Sequence, residues 1–252
     1  MVIPFTYGKL LKLKRETKRL STSTTTPSTN DTGSPPATGA SKLKVWIVGR
    51  GYRSYVKMFL QQGGFERAES LDHADIVVFT GGPDVNPAMY GENKIKTTVF
   101  NLDRDDEDTT AYYQAYDKFK IGICRGGQLL NVLNGGKMWQ HVTDHRNAHF
   151  IYDIATHRKV WASSTHHQMM IPGPLSEMIA YTELTKDKYS EKQHWVRTSS
   201  KHDDDNLKDA EVLYYPDTRS LCFQPHPEID GFYDLRRYFF ELLTFNYHRS
   251  PT

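Results

Sequence analysis

The stretch from Lys120 to Asn131 admits few folds. Ile121 to Ile123 is an apolar run of buried-strand character, and it ends at Cys124. Gly126 and Gly127 follow, then the helix-like run Leu129, Leu130, Val132 and Leu133, closed by Gly135 and Gly136. A strand, a tight turn at a thiol and a helix make an elbow. The elbow holds the sulfur at the end of a sheet and aims a helix N-terminus at it. Backbone N–H groups there favour negative charge, so they suit a thiolate and can hold an oxyanion. A lone cysteine between a strand and a helix is more often a packing residue. The adjoining glycines and a distant His-Pro-Glu reverse that balance.

The flanking chain alternates strand and helix signals. Lys44 to Gly49 reads as a buried strand, followed by a Gly-Arg-Gly turn. Ser54 to Gln62 reads as a helix with Ser54 as a candidate N-cap. Ala74 to Thr80 is a second strand, ending in Gly81-Gly-Pro-Asp84, and Asp106 to Phe119 is helical in pattern. Such alternation predicts a parallel sheet covered on both faces, with ligands beyond the carboxyl ends of the strands. Further on, Lys159 to Ser163 reads as a strand leading into Ser164-Thr-His-His-Gln168, and Glu177 to Thr182 as another. Residues 183–209 are polar and read as a long surface loop or insertion. Ala210 to Tyr215 and Ser220 to Gln224 read as a hairpin that delivers Pro225-His-Pro-Glu228, and Tyr233 to Phe245 as a closing amphipathic helix.

Charge and composition narrow the classes. Of 32 basic and 30 acidic residues, seven basic and two acidic fall within residues 1–42, leaving 25 and 28 for a mildly acidic remainder. Nothing in that remainder suggests a nucleic-acid-binding domain. Residues 1–42 are expected to be a basic, Ser/Thr/Pro-rich disordered tail and linker, and 43–252 the folded domain. The basic start has three readings: a solvated tail, a transit peptide, or a docking arm for an acidic partner. Two cysteines, Cys124 and Cys222, make no disulfide scaffold, and a working thiol suits a reducing cytoplasm. No apolar run approaches the ~20 residues that span a membrane.

A thiolate that attacks a carbonyl needs a base that keeps the proton and later hands it to the leaving group. Histidine fits that role near neutral pH. A carboxylate that orients the imidazole completes the device. In extended chain, residues two apart share a side, so Glu228 can support His226. A His-Pro-Glu standing alone would be a loop histidine; paired with Cys124 it reads as part of a triad. His141, His145 and His149 fall at i, i+4 and i+8, but no second ligand group is evident and no metal is expected. Cys222 and the tyrosines at 112, 113 and 116 read as packing residues.

The Cys124 elbow resembles the nucleophile motif of class I glutamine amidotransferases, and Gln224-Pro-His-Pro-Glu228 resembles their His/Glu motif, with Pro225 where Trp is usual. Gly81-Gly-Pro-Asp-Val-Asn-Pro-Ala-Met-Tyr-Gly-Glu92, Arg125, and Ser164-Thr-His-His-Gln168 are similar to segments of the γ-glutamyl hydrolase group, which includes γ-glutamyl-γ-aminobutyrate hydrolase. The likeness covers about residues 44–245. It implies a flavodoxin-like three-layer αβα sandwich with a central, mostly parallel sheet. It also implies Cys124 as nucleophile, His226 as base and acid, and Glu228 as its orienter. Backbone N–H groups of Gly82 and Arg125 would form the oxyanion hole. Gln128, His166, His167 and Gln168 would line a γ-glutamyl pocket, with Arg104 and Asp105 in support. The implied reaction is hydrolysis of a small γ-glutamyl amide through a thioester, without cofactor. The alternatives are a glutaminase subunit that feeds a separate synthetase, and a binding protein that has lost the chemistry. Gly127 replaces a larger residue of the family, which predicts extra space at that point.

Overall fold

The computed structural model describes residues 41–49, 52–183, 187–189, 196–197 and 208–249. The tail over residues 1–40, the Arg50-Gly51 turn and most of 183–209 lie outside the described residues. β1 (Lys44–Val48) is followed by α1 (Tyr52–Val56), which continues as a wider π-helical segment, Lys57–Gln62. Then come β2 (Glu66–Arg67), β3 (Ile76–Phe79), α2 (Leu102–Gln114), β4 (Phe119–Ile123) and α3 (Arg125–Leu133). The second half is richer in strands: β5 (Lys137–Trp139), β6 (His141–Val142), β7 (His149–Asp153), β8 (Lys159–Ala162), β9 (Met169–Ile171) and β10 (Glu177–Thr182). β11 (Asp187–Tyr189), β12 (Val196–Arg197), β13 (Asp209–Tyr215), β14 (Ser220–Phe223) and α4 (Tyr233–Tyr247) complete the chain.

The main sheet runs β2-β1-β3-β4-β14-β13-β10-β7-β8. Its first five strands are parallel to one another, and the β13–β14 hairpin turns the rest antiparallel. β3 and β4 are buried at every position, as strands covered on both faces must be. Alternation along them separates two cores. Ile76, Val78, Ile121 and Ile123 pack with Tyr55, Met58 and Phe59 of the first helix and Leu235, Phe239 and Leu243 of α4. Val77 and Phe79 face the other way, toward Ala111 and Tyr112 of α2 and Leu129, Leu130 and Val132 of α3. Helices on both faces of one sheet give the three-layer α/β sandwich that the strand–helix alternation implies.

Three details depart from expectation. α2 starts at Leu102, not Asp106, because the Asn101 side chain accepts from the Arg104 amide and caps the helix four residues earlier. The 183–209 segment is not wholly loop: β11 pairs with β12 and with β6 in a small separate sheet. Gly127 leaves no extra space, since a Cβ there would stand 3.0 Å from the Phe223 amide nitrogen and 3.1 Å from the Gly122 carbonyl. Among the described residues no helix is long and apolar enough to cross a membrane.

Candidate active site

β3, β4 and β14 are adjacent and parallel, so their carboxyl ends lie side by side. The segments that leave those ends carry Gly81-Gly82, Cys124 and His226. Topology therefore gathers three pieces of distant sequence at one edge. There they line a cavity of about 200 Å³, together with Gln128, His166, His167 and Gln168. Asp84 and Thr165 complete its wall.

Cys124 caps α3 with φ 52° and ψ −115°. A non-glycine residue in so sparse a region costs on the order of 1–3 kcal/mol and persists only where neighbours fix it. The Cys124 amide donates to the Phe223 carbonyl at 2.8 Å, and its own carbonyl accepts from the Gln128 amide at 3.0 Å. Gly122 and Gly126 permit the close helix–strand approach behind it: a Cβ on Gly126 would collide with the Phe79 carbonyl, and one on Gly122 with the Gly126 backbone. As the first residues of a helix, Arg125 and Gly126 have amides without intrahelical acceptors.

The Arg125 side chain turns away from the cavity. It is fully buried and paired with Asp108 and, at 2.5 Å, with Asp105. Arg104 joins the same network, with Nε 2.9 Å from Asp108 and Nη2 donating to the Thr80 hydroxyl at 3.0 Å. The Arg-Asp pair thus ties α2 to the elbow and to the end of β3. Burial raises the Asp105 pKa despite the opposing Arg125 charge.

His226 and Glu228 meet across a turn after β14, with Nδ1 2.7 Å from Oε1. The extended geometry expected for them is not needed. Ser163 fixes the histidine backbone, accepting from its amide at 2.9 Å and donating to its carbonyl at 2.8 Å. Arg236 of α4 donates to the Pro227 and Ile229 carbonyls. With Nδ1 on Glu228, Nε2 has no hydrogen-bond partner among the described residues and is left for the thiol; burial lowers the imidazole pKa, but interaction with Cys124 and the bonded Glu228 carboxylate lifts it to about 10. The arrangement favours an imidazolium beside the sulfur. Cys222 behaves differently: it is fully buried in β14, and burial alone pushes its pKa up.

The remaining predicted residues converge on the cavity. The Gln128 side chain donates to the Gln224 side chain at 3.2 Å and to the Gln168 carbonyl at 3.3 Å. His167 Nε2 lies 3.2 Å from Asp84 Oδ1. His166 Nδ1 bonds the Gln168 carbonyl at 2.9 Å, and burial pushes its pKa down to about 3. Gly82 lines the cavity beside the Arg125 methylenes, while the Gly81 amide is taken by the Tyr55 hydroxyl at 3.0 Å. Burial and the nearby Glu228 charge raise the Tyr55 pKa. Tyr55, Ser163 and Arg236 carry no signal in sequence, whereas Asp84 stands in the Gly81–Glu92 motif, which assigned it no role. Each acts through a fold contact that only the assembled sheet creates.

The Peptidase C26 family model matches residues 55–198, more than half of the chain, and includes the elbow and the Ser164–Gln168 segment. The glutamine amidotransferase-like protein YvdE of Lactococcus lactis is 42% identical over 76 residues, 29% of this chain and 32% of that protein. The chain thus spans about a third of the length of the curated relatives it matches. In fold it is similar to PurLQS from Thermotoga maritima, with TM-score 0.52 and 13% identity over 81% of this chain and 99% of that one. A glutamine amidotransferase of the same organism gives 0.51 and 13%, covering 81% and 86%. Taken with the strand order and the elbow, the extent of the family match settles the affiliation: this chain belongs to the Peptidase C26 family.

Proposed function

We propose that this protein is a cysteine-dependent hydrolase of γ-glutamyl amide bonds. The observation that carries this reading is the convergence of Cys124 and His226 in one small cavity, with Glu228 bonded 2.7 Å behind the imidazole. Cys124 sulfur attacks the γ-carbonyl carbon, and the carbonyl π electrons move to oxygen. Amide hydrogens of Arg125 and Gly82 stabilise that oxyanion. The C–N bond then breaks, and the proton on His226 goes to the departing nitrogen, releasing ammonia or an amine. His226 takes a proton from water as it attacks the thioester. Collapse expels the thiolate and leaves glutamate.

The cavity suits the γ-glutamyl end of the substrate. At about 200 Å³ it has room for a small amino-acid head. Asp84 offers a carboxylate for the α-ammonium group, Gln128, His167 and Gln168 supply polar contacts for the rest, and the His166 ring forms part of the wall. A working thiol fits a reducing compartment such as the cytoplasm.

A glutamine-analogue electrophile that alkylates the nucleophile tests the nucleophile, its activation and the pocket at once. Intact-mass analysis should show one adduct on the wild type and none on Cys124→Ala. No adduct on the wild type, or an adduct that survives the substitution, would overturn the reading.

A further inference from the structure

Behind the His166 wall of the cavity lies a cluster that the thiol chemistry does not use. His145, His166 and Glu211 are all buried, and one ligand atom of each lies within 4.8 Å of those of the other two. They come from three separate parts of the chain: the loop before β7, the segment after β8 and the middle of β13. The i, i+4, i+8 histidine spacing hid this arrangement. His141 leaves the group and meets His167 at 3.4 Å, while the second ligand set comes from residues 166 and 211.

Hydrogen bonds decide which atoms carry lone pairs. His166 Nδ1 lies 2.9 Å from the Gln168 carbonyl, which can only accept, so Nδ1 holds the proton. Its Nε2 then has a lone pair and, among the described residues, no hydrogen-bond partner. His145 Nε2 lies 3.0 Å from Asp209 Oδ2, which turns its Nδ1 toward Glu211 Oε1 at 3.5 Å. Glu211 Oε1 is held by His149 Nε2 at 2.9 Å, and its Oε2 has no hydrogen-bond partner among the described residues. Each imidazole is anchored at one nitrogen by a carboxylate or a carbonyl and aims the other inward. Metal-ligating histidines are oriented in this way. A buried carboxylate oxygen and a buried imidazole lone pair that face one another repel unless a cation or proton lies between them.

We propose that His145, His166 and Glu211 bind a divalent transition-metal ion of the zinc type, with Asp209, His149 and the Gln168 carbonyl orienting the ligands. Two imidazoles and one carboxylate suit zinc better than magnesium or calcium, which prefer all-oxygen shells. Three protein ligands leave a coordination position open. The ligand atoms, up to 4.8 Å apart, would have to draw together for zinc bonds of about 2.0–2.2 Å. The ion would brace the His166 wall of the cavity from behind.

The full chain, stripped with chelator, is titrated with Zn2+ alone, desalted and assayed for metal content. One equivalent should be retained, with a raised Tm, and zinc-edge X-ray absorption should show two imidazoles and a carboxylate. His166→Ala should abolish retention, and His141→Ala should leave it unchanged. Asp209→Asn should keep the stoichiometry but lose affinity by about 10–100-fold. Failure of the wild type to retain zinc would overturn the proposal, as would retention unaffected by His166→Ala. If the variants do not fold, the wild-type absorption spectrum decides: a shell without two imidazoles sinks the site.

Discussion

Arg125, the residue after the thiol, places Nη2 2.5 Å from Asp105 Oδ1 across the gap between α3 and α2. With Asp108 and Arg104 it forms a four-residue charged network almost closed to water. Removing one member leaves a buried charge without its counterion. Asp108→Ala should therefore cost about 3–5 kcal/mol. Urea unfolding followed by tryptophan fluorescence measures this; a loss below 1 kcal/mol would mean the network has surface-like worth.

The hydroxyl of Tyr55 accepts from the Gly81 amide at 3.0 Å, so it holds the Gly81-Gly82 turn beside the cavity. Tyr55→Phe removes the acceptor of the Gly81 amide. A stability loss of about 1–3 kcal/mol follows from the stranded amide. Activity should fall through kcat with KM little changed, because Tyr55 is not part of the cavity wall. A rise confined to KM would refute that positioning role.

His226 carries the pH dependence. Its pKa rises from 6.5 to about 10 on folding, because interaction with Cys124 and the bonded Glu228 carboxylate outweighs the opposing effect of burial. A group raised in this way stabilises the fold fully below 6.5, and that contribution is lost as pH climbs through about 10. Cys124→Ala removes one of the two supports, so the imidazole should lose its proton at a lower pH than in the wild type. NMR titration of the histidine side chains reads the shift directly. An unchanged midpoint would show that the sulfur and the ring do not interact.

Gly126 and Gly127 should respond differently to a methyl group. At Gly126 the new Cβ collides with the Phe79 carbonyl, which belongs to a fully buried strand; at Gly127 the nearest atom is 3.0 Å away. Gly126→Ala should lower Tm more than Gly127→Ala, with overpacking costs of about 1–3 kcal/mol or more for the first. Equal losses, followed by calorimetry, would contradict the close approach of α3 to the sheet.

A hydrolase that works alone and a subunit that feeds a synthetase share all of the thiol chemistry and differ in their substrates. Purified protein should turn over several γ-glutamyl amines without any added protein. A steady-state panel checks this. Turnover of glutamine alone, stimulated by a co-purifying synthetase, would favour the subunit instead.

The parallel half of the sheet and the elbow were legible because they rest on local signals. Apolar runs of strand length, glycines beside a cysteine and a hairpin before His226 each point to one conformation. Boundaries were less legible where a single side chain set them, as Asn101 does for α2. The short strands β5, β6 and β9 were unreadable, since two or three residues carry no period. The least legible feature was the meeting of His145, His166 and Glu211, because no local pattern links residues brought together by a sheet.

Cys124 and Cys222 pack into cores on opposite faces of the sheet, and they are the chain's two sulfhydryls. Cys222 is therefore out of place to act as a resolving partner for Cys124, the nucleophile proposed above. If peroxide converts Cys124 to a sulfenic acid, repair depends on a thiol supplied from outside, such as a small cellular reductant. Without one, the next oxidation step would silence the molecule permanently.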